Sequence, residues 1–302
     1  MRKITKQEAL LVALFVAMLF WGGSWATSKM IVHYANIEII AFWRFLLAAI
    51  TFTPIIFFFR PSLLISIKSL SFLILVSIFN CLYAFLFFQG ITLGMAGAGG
   101  VLVTTLIPIF TYILTFFIYH NRIAPYEFFG LVLGICSGFL LLNLDFSSEL
   151  FVGGNLYFLI SALIWALLTL TMQKIRTEVH PITANLYINI FSSLMCCVFI
   201  MLFDKGNIMQ VFAFDHIFWL GLIFISCLSI AFGNTLYYQA IAILGSNKAS
   251  AFNLLVPINA MLISWWLLNE VPTINTIVGG SLAIIGIYFI NIYKPKKGKN
   301  VT

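Results

Sequence analysis

Hydrophobic positions in this 302-residue chain come in long blocks rather than in alternation. A run of about 20 apolar residues is the length of helix that crosses the ~30 Å hydrocarbon core of a bilayer. Such runs recur ten times, at roughly 9–28, 37–59, 70–93, 97–118, 125–144, 152–173, 182–203, 214–241, 248–269 and 273–293. Polar residues collect in the short connections, which leave no room for a soluble domain. The pattern predicts an all-α polytopic membrane protein with ten transmembrane helices.

Composition agrees. The chain is 62% hydrophobic and 8% charged, against about 25% charged in soluble domains. Arg2, Lys3 and Lys6 precede the first block, and Ser24-x-Ala26 loosely fits a small-x-small cleavage site. That block has the length of a full span, however, and its polar end recurs in the second half, so it reads as an uncleaved helix. Cys81, Cys136, Cys196, Cys197 and Cys227 all fall inside predicted spans without metal-ligand spacing, and read as small buried hydrophobes.

The net charge of +7 follows the connections. With the N-terminus inside, the cytoplasmic segments hold Arg2, Lys3, Lys6, Arg60, Lys68, Arg122, Lys174, Arg176, Lys248, Lys294, Lys296, Lys297 and Lys299, while the outer loops hold Lys29 and Lys205. Basic bias in short loops sets orientation, so both termini are expected in the cytoplasm. The basic excess is topology, and no nucleic-acid partner is expected; the partners are the lipid bilayer and a small-molecule substrate.

The two halves repeat. "LFWGGSWATSK" (19–29) aligns with "LIWALLTLTMQK" (163–174), Trp21 on Trp165; "FFQGITLG" (87–94) aligns with "YYQAIAILG" (237–245), Gln89 on Gln239. "TLIPIF" (105–110) aligns with "LLVPIN" (254–259), and the pairs Pro108/Pro257 and Gly130/Gly279 share one offset. Five spans per half is an odd number, so the halves, 1–148 and 149–302, would insert in opposite orientations. Inverted-topology repeats are a design of secondary transporters, with the site near the midplane at the repeat interface.

With "FWGGSWATSK", "FWRFLLAA", Trp165-Ala166, the Pro-containing fourth and ninth spans and the closing "LLNEVPTINTIVGGSLAIIGIYFI" in order, the whole chain resembles the drug/metabolite transporter superfamily, in particular its EamA-type members. The chain departs from that pattern where Asn269 replaces a Gly before Glu270, and where "HNR" (120–122) stands for an acidic loop. The resemblance implies a carrier of the bacterial inner membrane, usually an exporter of amino acids or related metabolites, working by alternating access. A pore-like channel and a non-transporting membrane interaction protein are the other classes that ten apolar spans allow.

Polar residues inside spans are the candidate site. Arg44 lies seven residues below Ile37, about 10 Å at 1.5 Å per residue. Such a charge costs about 2.5–3.5 kcal/mol on insertion scales, so it faces the bundle interior or snorkels. It reads either as an anchor for a carboxylate or phosphate, or as a brace bonded to neighbouring carbonyls. The resemblance favours the brace, because similar proteins with different substrates carry an Arg-Phe pair there. Pro108 and Pro257 free the carbonyls of Thr104 and Asn253, and an unpaired carbonyl is tolerated in a membrane where it lines a cavity. Spans 4 and 9 are therefore candidate gates with proline hinges, or ordinary kinks.

Asn80-x-x-Tyr83 and Asn234-x-x-Tyr237 each share a helical face, and Trp21, Ser24, Trp165 and Thr169 would complete a cavity wall. Most aromatics, at 17% of the chain, must nonetheless be packing or interface residues. Gly130, Gly134 and Gly138 predict close helix packing, within one chain or across a homodimer. No Asp or Glu lies near a span centre, and no HExxH, G-x-S-x-G or Ser/His/Asp set occurs. No enzyme activity, metal or cofactor is expected, and nothing deep in the bilayer would carry a coupling proton.

Overall fold

A computed structural model describes residues 6–94, 96–120, 123–142, 153–259, 263 and 274–293. Among them there is no strand. The helices are α1 (Lys6–Ile31), α2 (Ile37–Phe59), α3 (Ile67–Leu93), α4 (Ala96–Tyr119), α5 (Pro125–Leu142), α6 (Gly154–Ile175) and α7 (Pro181–Leu202), then α8 over His216–Leu244. α9 starts as Ser246–Ala251 and tightens to a 3-10 turn over Phe252–Leu255, and α10 is Ile274–Asn291. Seven of these are long and apolar enough to cross a membrane, and two shorter apolar stretches, Pro125–Leu140 and Ile277–Asn291, lie in α5 and α10. The second part of the expected ninth span, 260–262 and 264–269, falls outside the described residues, and among the described residues seven full-length spans stand against the ten expected.

Local chemistry marks the helix ends. Asp215 accepts from the backbone N–H groups of Ile217 and Phe218 at the start of α8, and Ser66 accepts from that of Ser69 at the start of α3. Pro181 opens α7, where its missing N–H costs nothing. Gly245, at φ 87°, turns the chain out of α8.

The interior is a largely apolar core with polar side chains set into it, and the outer surface is apolar as well. On α7, Asn185, Asn189 and Ser192 are fully buried, whereas Leu194, Val198 and Met201 are 56%, 54% and 71% exposed, a stripe that meets lipid. Cys81 and Cys196 are buried, their sulfurs 4.0 Å apart. Cys136 departs from its expected burial and is exposed on α5.

Connections gather at two ends. At one, Asn36 Nδ2 donates to the Lys205 carbonyl (2.7 Å), Glu38 lies 3.8 Å from Lys205, and the Tyr34 hydroxyl bonds Asp215. At the other, Thr183 Oγ1 donates to Ser62 O (2.8 Å), and Lys68 and Ser69 both reach Glu178.

α2 and α7 therefore run antiparallel, residue 36 beside 205 and residue 62 beside 183. α5 and α10 also run antiparallel, with Tyr126 on Tyr293 and Phe129 on Phe289. Other contacts come in matched pairs: α3 lies on α6 as α1 lies on α8, and α3 on α7 as α2 on α8.

The glycine stripe of α5 is used within the chain. A Cβ on Gly130 would sit 2.7 Å from Gly286 O in α10; Gly134 abuts Leu254, and Gly138 abuts Thr105.

Candidate functional site

A cavity of about 40 Å³, room for about three waters, lies where α1, α2, α3, α4, α6, α8 and α9 converge. Among the expected wall residues it is lined by Trp21, Ser24, Tyr83, Thr104, Trp165, Asn234 and Asn253, together with Arg44. Trp21 and Trp165, equivalent in the repeat, meet edge to face at 5.4 Å. Tyr83 stands 4.7 Å from the Trp165 ring.

Three expected residues are placed elsewhere. Asn80 turns away from the cavity and donates to Ser192 Oγ on α7 at 3.0 Å. Residues three apart on a helix differ by about 60° in direction, enough to send Tyr83 to the cavity and Asn80 to the neighbouring helix. Thr169 and Tyr237 are fully buried beside the tryptophans rather than lining the cavity, and their hydroxyls bond each other at 2.9 Å. Tyr237 touches both Trp21 and Trp165, so this pair ties α6 to α8 directly behind the aromatic wall.

The prolines differ. α4 continues as an α-helix through Pro108. Ahead of Pro257 the helix narrows to the 3-10 turn, and Asn253 within it donates to Ser250 O at 2.8 Å. Thr104 bonds back to Gly100 O at 2.6 Å.

A departure from a regular rod is the π-helical stretch Phe224–Asn234 in the middle of α8. Such widened turns release carbonyls from the i−4 pattern and recur at functional sites. Here side chains take them up. Trp21 Nε1 donates to Ser229 O (3.1 Å), and Asn185 Nδ2 donates to Ile230 O (3.0 Å) and Ala231 O (3.2 Å). Asn189 Nδ2 in turn donates to Asn185 Oδ1 (2.8 Å) and fixes that amide. Gly233 leaves space for Trp21, whose Nε1 would lie 2.7 Å from any Cβ there. The stretch presents Ile225, Ser229 and Asn234 to the cavity.

Trp25, Ser28, Phe87 and Ser229 also line the cavity, beyond the residues the sequence points to. Trp21, Ser24, Trp25 and Ser28 follow i, i+3, i+4, i+7, one helical face, a spacing visible in the sequence.

Arg44 is 8% exposed. Its guanidinium lies 5.6, 5.6 and 5.5 Å from the ring centroids of Phe45, Phe87 and Phe88. Among the described residues it makes no hydrogen bond or ion pair, and Nε is buried without a partner. The carbonyl bonds of a brace are not formed, and aromatic faces hold the group instead.

The model of the EamA-like transporter family matches residues 9–143 and 152–292. An uncharacterized transporter of Bacillus subtilis, YoaV, is 27% identical over 89% of this chain and 92% of its own length. An uncharacterized transporter of Archaeoglobus fulgidus is 24% identical over 91% and 94%. A crystal structure at 16% identity shares the fold, with a TM-score of 0.70 over 93% of this chain and 97% of the other. A family match in each half, relatives named as transporters and a bundle of membrane-length helices agree: this multi-pass membrane protein belongs to the EamA-like transporter family and is a transporter, not an enzyme.

Proposed function

We propose that the chain is a secondary carrier, exporting small metabolites such as amino acids by alternating access around the central cavity. The reading comprises ten transmembrane helices in two inverted five-helix repeats, 1–148 and 149–302, in the bacterial inner membrane with both termini cytoplasmic. The observation that carries it is the cavity wall, to which both halves contribute equivalent residues, Trp21 and Trp165, in mutual contact. Two further features support it. The antiparallel pairs α2/α7 and α5/α10 join equivalent spans, as inverted repeats require. Trp21 Nε1 in α1 donates to Ser229 O in α8, a bond from the first half to the second where one half must move against the other. Among the described residues no acidic side chain lines the cavity, which favours facilitated diffusion or substrate exchange over proton coupling.

Reconstitution into proteoliposomes with a metabolite panel is the test. Saturable flux stimulated by solute on the opposite side is expected. Flux that rises without saturation would make the protein a pore, and absence of flux for every solute would leave an interaction role.

A further inference from the structure

The charge balance of the cavity is unfinished. Among the described residues one permanent cation, Arg44, faces it at 8% exposure, and no aspartate or glutamate lines it. A buried ion is normally compensated by a partner and by hydrogen bonds. The three phenylalanine faces at 5.5–5.6 Å orient the guanidinium yet satisfy none of its N–H groups, because π faces stabilise charge without accepting in-plane hydrogen bonds of normal geometry.

We propose that Arg44 binds the carboxylate of the transported solute, and that the substrate class is small monocarboxylates with an apolar body; this rests on the carrier reading above. A planar fork of donors fits a planar carboxylate two-pronged. A phosphate monoester, at about −1.5 to −2, would leave charge uncompensated beside a single cation. A solute cation would be repelled. Trp21, Trp165 and the other rings supply the apolar surface. The cavity of about 40 Å³ accommodates the carboxylate, and the body enters when the helices part.

Four matched probes test this on the detergent-purified full chain, with quenching of tryptophan fluorescence as the readout: N-acetylphenylalanine (anion), phenylalanine (zwitterion), N-acetylphenylalaninamide (neutral) and phenylalaninamide (cation). The two carboxylates are expected to bind at least tenfold more tightly than their amides. Arg44→Gln should weaken the carboxylates by about 10- to 100-fold, the range of a hydrogen bond to a charged group, and abolish the acid-over-amide preference, while Arg44→Lys keeps part of it. Equal binding of acid and amide by the unaltered chain overturns the proposal without any variant having to fold. So does a preference that survives in Arg44→Gln, or the absence of binding by all four probes. Counterflow in proteoliposomes separates the two readings. Saturable exchange of the neutral or cationic probe alone would refute the carboxylate site and leave the carrier standing, whereas unsaturable flux would refute the carrier.

Discussion

Asn185 shows how one side chain sets the shape of a neighbouring helix. Its amide takes up two carbonyls of the π stretch and is itself held by Asn189. Asn185→Leu removes the side-chain donor to Ile230 O, while Ala231 O keeps Thr235 Oγ1 at 2.6 Å, and should cost about 1–3 kcal/mol; a lowered midpoint of thermal unfolding in detergent checks this, and an unchanged midpoint would mean that α8 needs no such support. Asp215 is the contrasting case at the surface. Hydrogen bonds from the Phe218 backbone, then from Tyr34 and Ile217, hold its carboxyl below the usual carboxylate range. Tyr34 moves the opposite way, raised by its bond to Asp215. A carboxyl depressed in the fold contributes stability above its unfolded value, about 3.9, and loses it as pH falls through the folded value. Thermal stability of the unaltered chain should therefore drop below about pH 4, and Asp215→Ala should flatten that limb; parallel curves would show that the cap is inert. Residue identities of this kind were only partly legible in the sequence. Asn185, Asn189 and Ser192 lie on one face of α7, but inside an apolar run their partners are on other helices and the spacing alone does not name them. Asn80 shares a helical face with Tyr83 in the sequence, yet the roughly 60° between them sends it to Ser192 instead of the cavity.

At the scale of elements, boundaries were easy to read and deformations were not. α2 occupies 37–59 as its apolar block predicts, and α7 differs from its block by one residue at each end, because bilayer thickness sets the length of both. The π stretch has no such signal: residues 224–234 are as apolar as their surroundings, and the widened turn depends on Trp21 and Asn185 from distant helices. Close crossings give a further prediction. Gly130→Ala would push a methyl group to 2.7 Å from backbone Gly286 O, and backbone cannot rotate aside. A loss of about 1–3 kcal/mol is expected, read as a lower unfolding midpoint. A wild-type midpoint would mean that α5 and α10 can separate without penalty. The two proline helices yield another. Cysteine at Thr104 or Asn253, in a chain lacking its native cysteines, should react with a membrane-impermeant thiol reagent and react less when a transported solute is bound. Inertness at both positions in every condition would reduce them to packing residues.

For the whole molecule, orientation is the simplest expectation to check. A reporter fused after Thr302 should be cytoplasmic and one inserted at Glu149 outside; both on one side would end the inverted-repeat reading. Among the described residues the cavity wall is neutral beyond Arg44, which bears on coupling. A pH gradient across proteoliposomes with equal solute inside and outside should drive no accumulation. Uphill accumulation would refute facilitated transport, and Glu270 would be the first residue to mutate.

Arg44 also has an electrical consequence. It does not deprotonate in proteins, so an emptied cavity carries one positive charge, and one occupied by a monocarboxylate carries none. Each elementary charge moved across the full membrane potential is worth about 2.3 kcal/mol per 100 mV. Voltage would then act on the return of the empty cavity and not on the loaded step. One-for-one exchange of the anion is expected to be silent to voltage, and net export to run as a current.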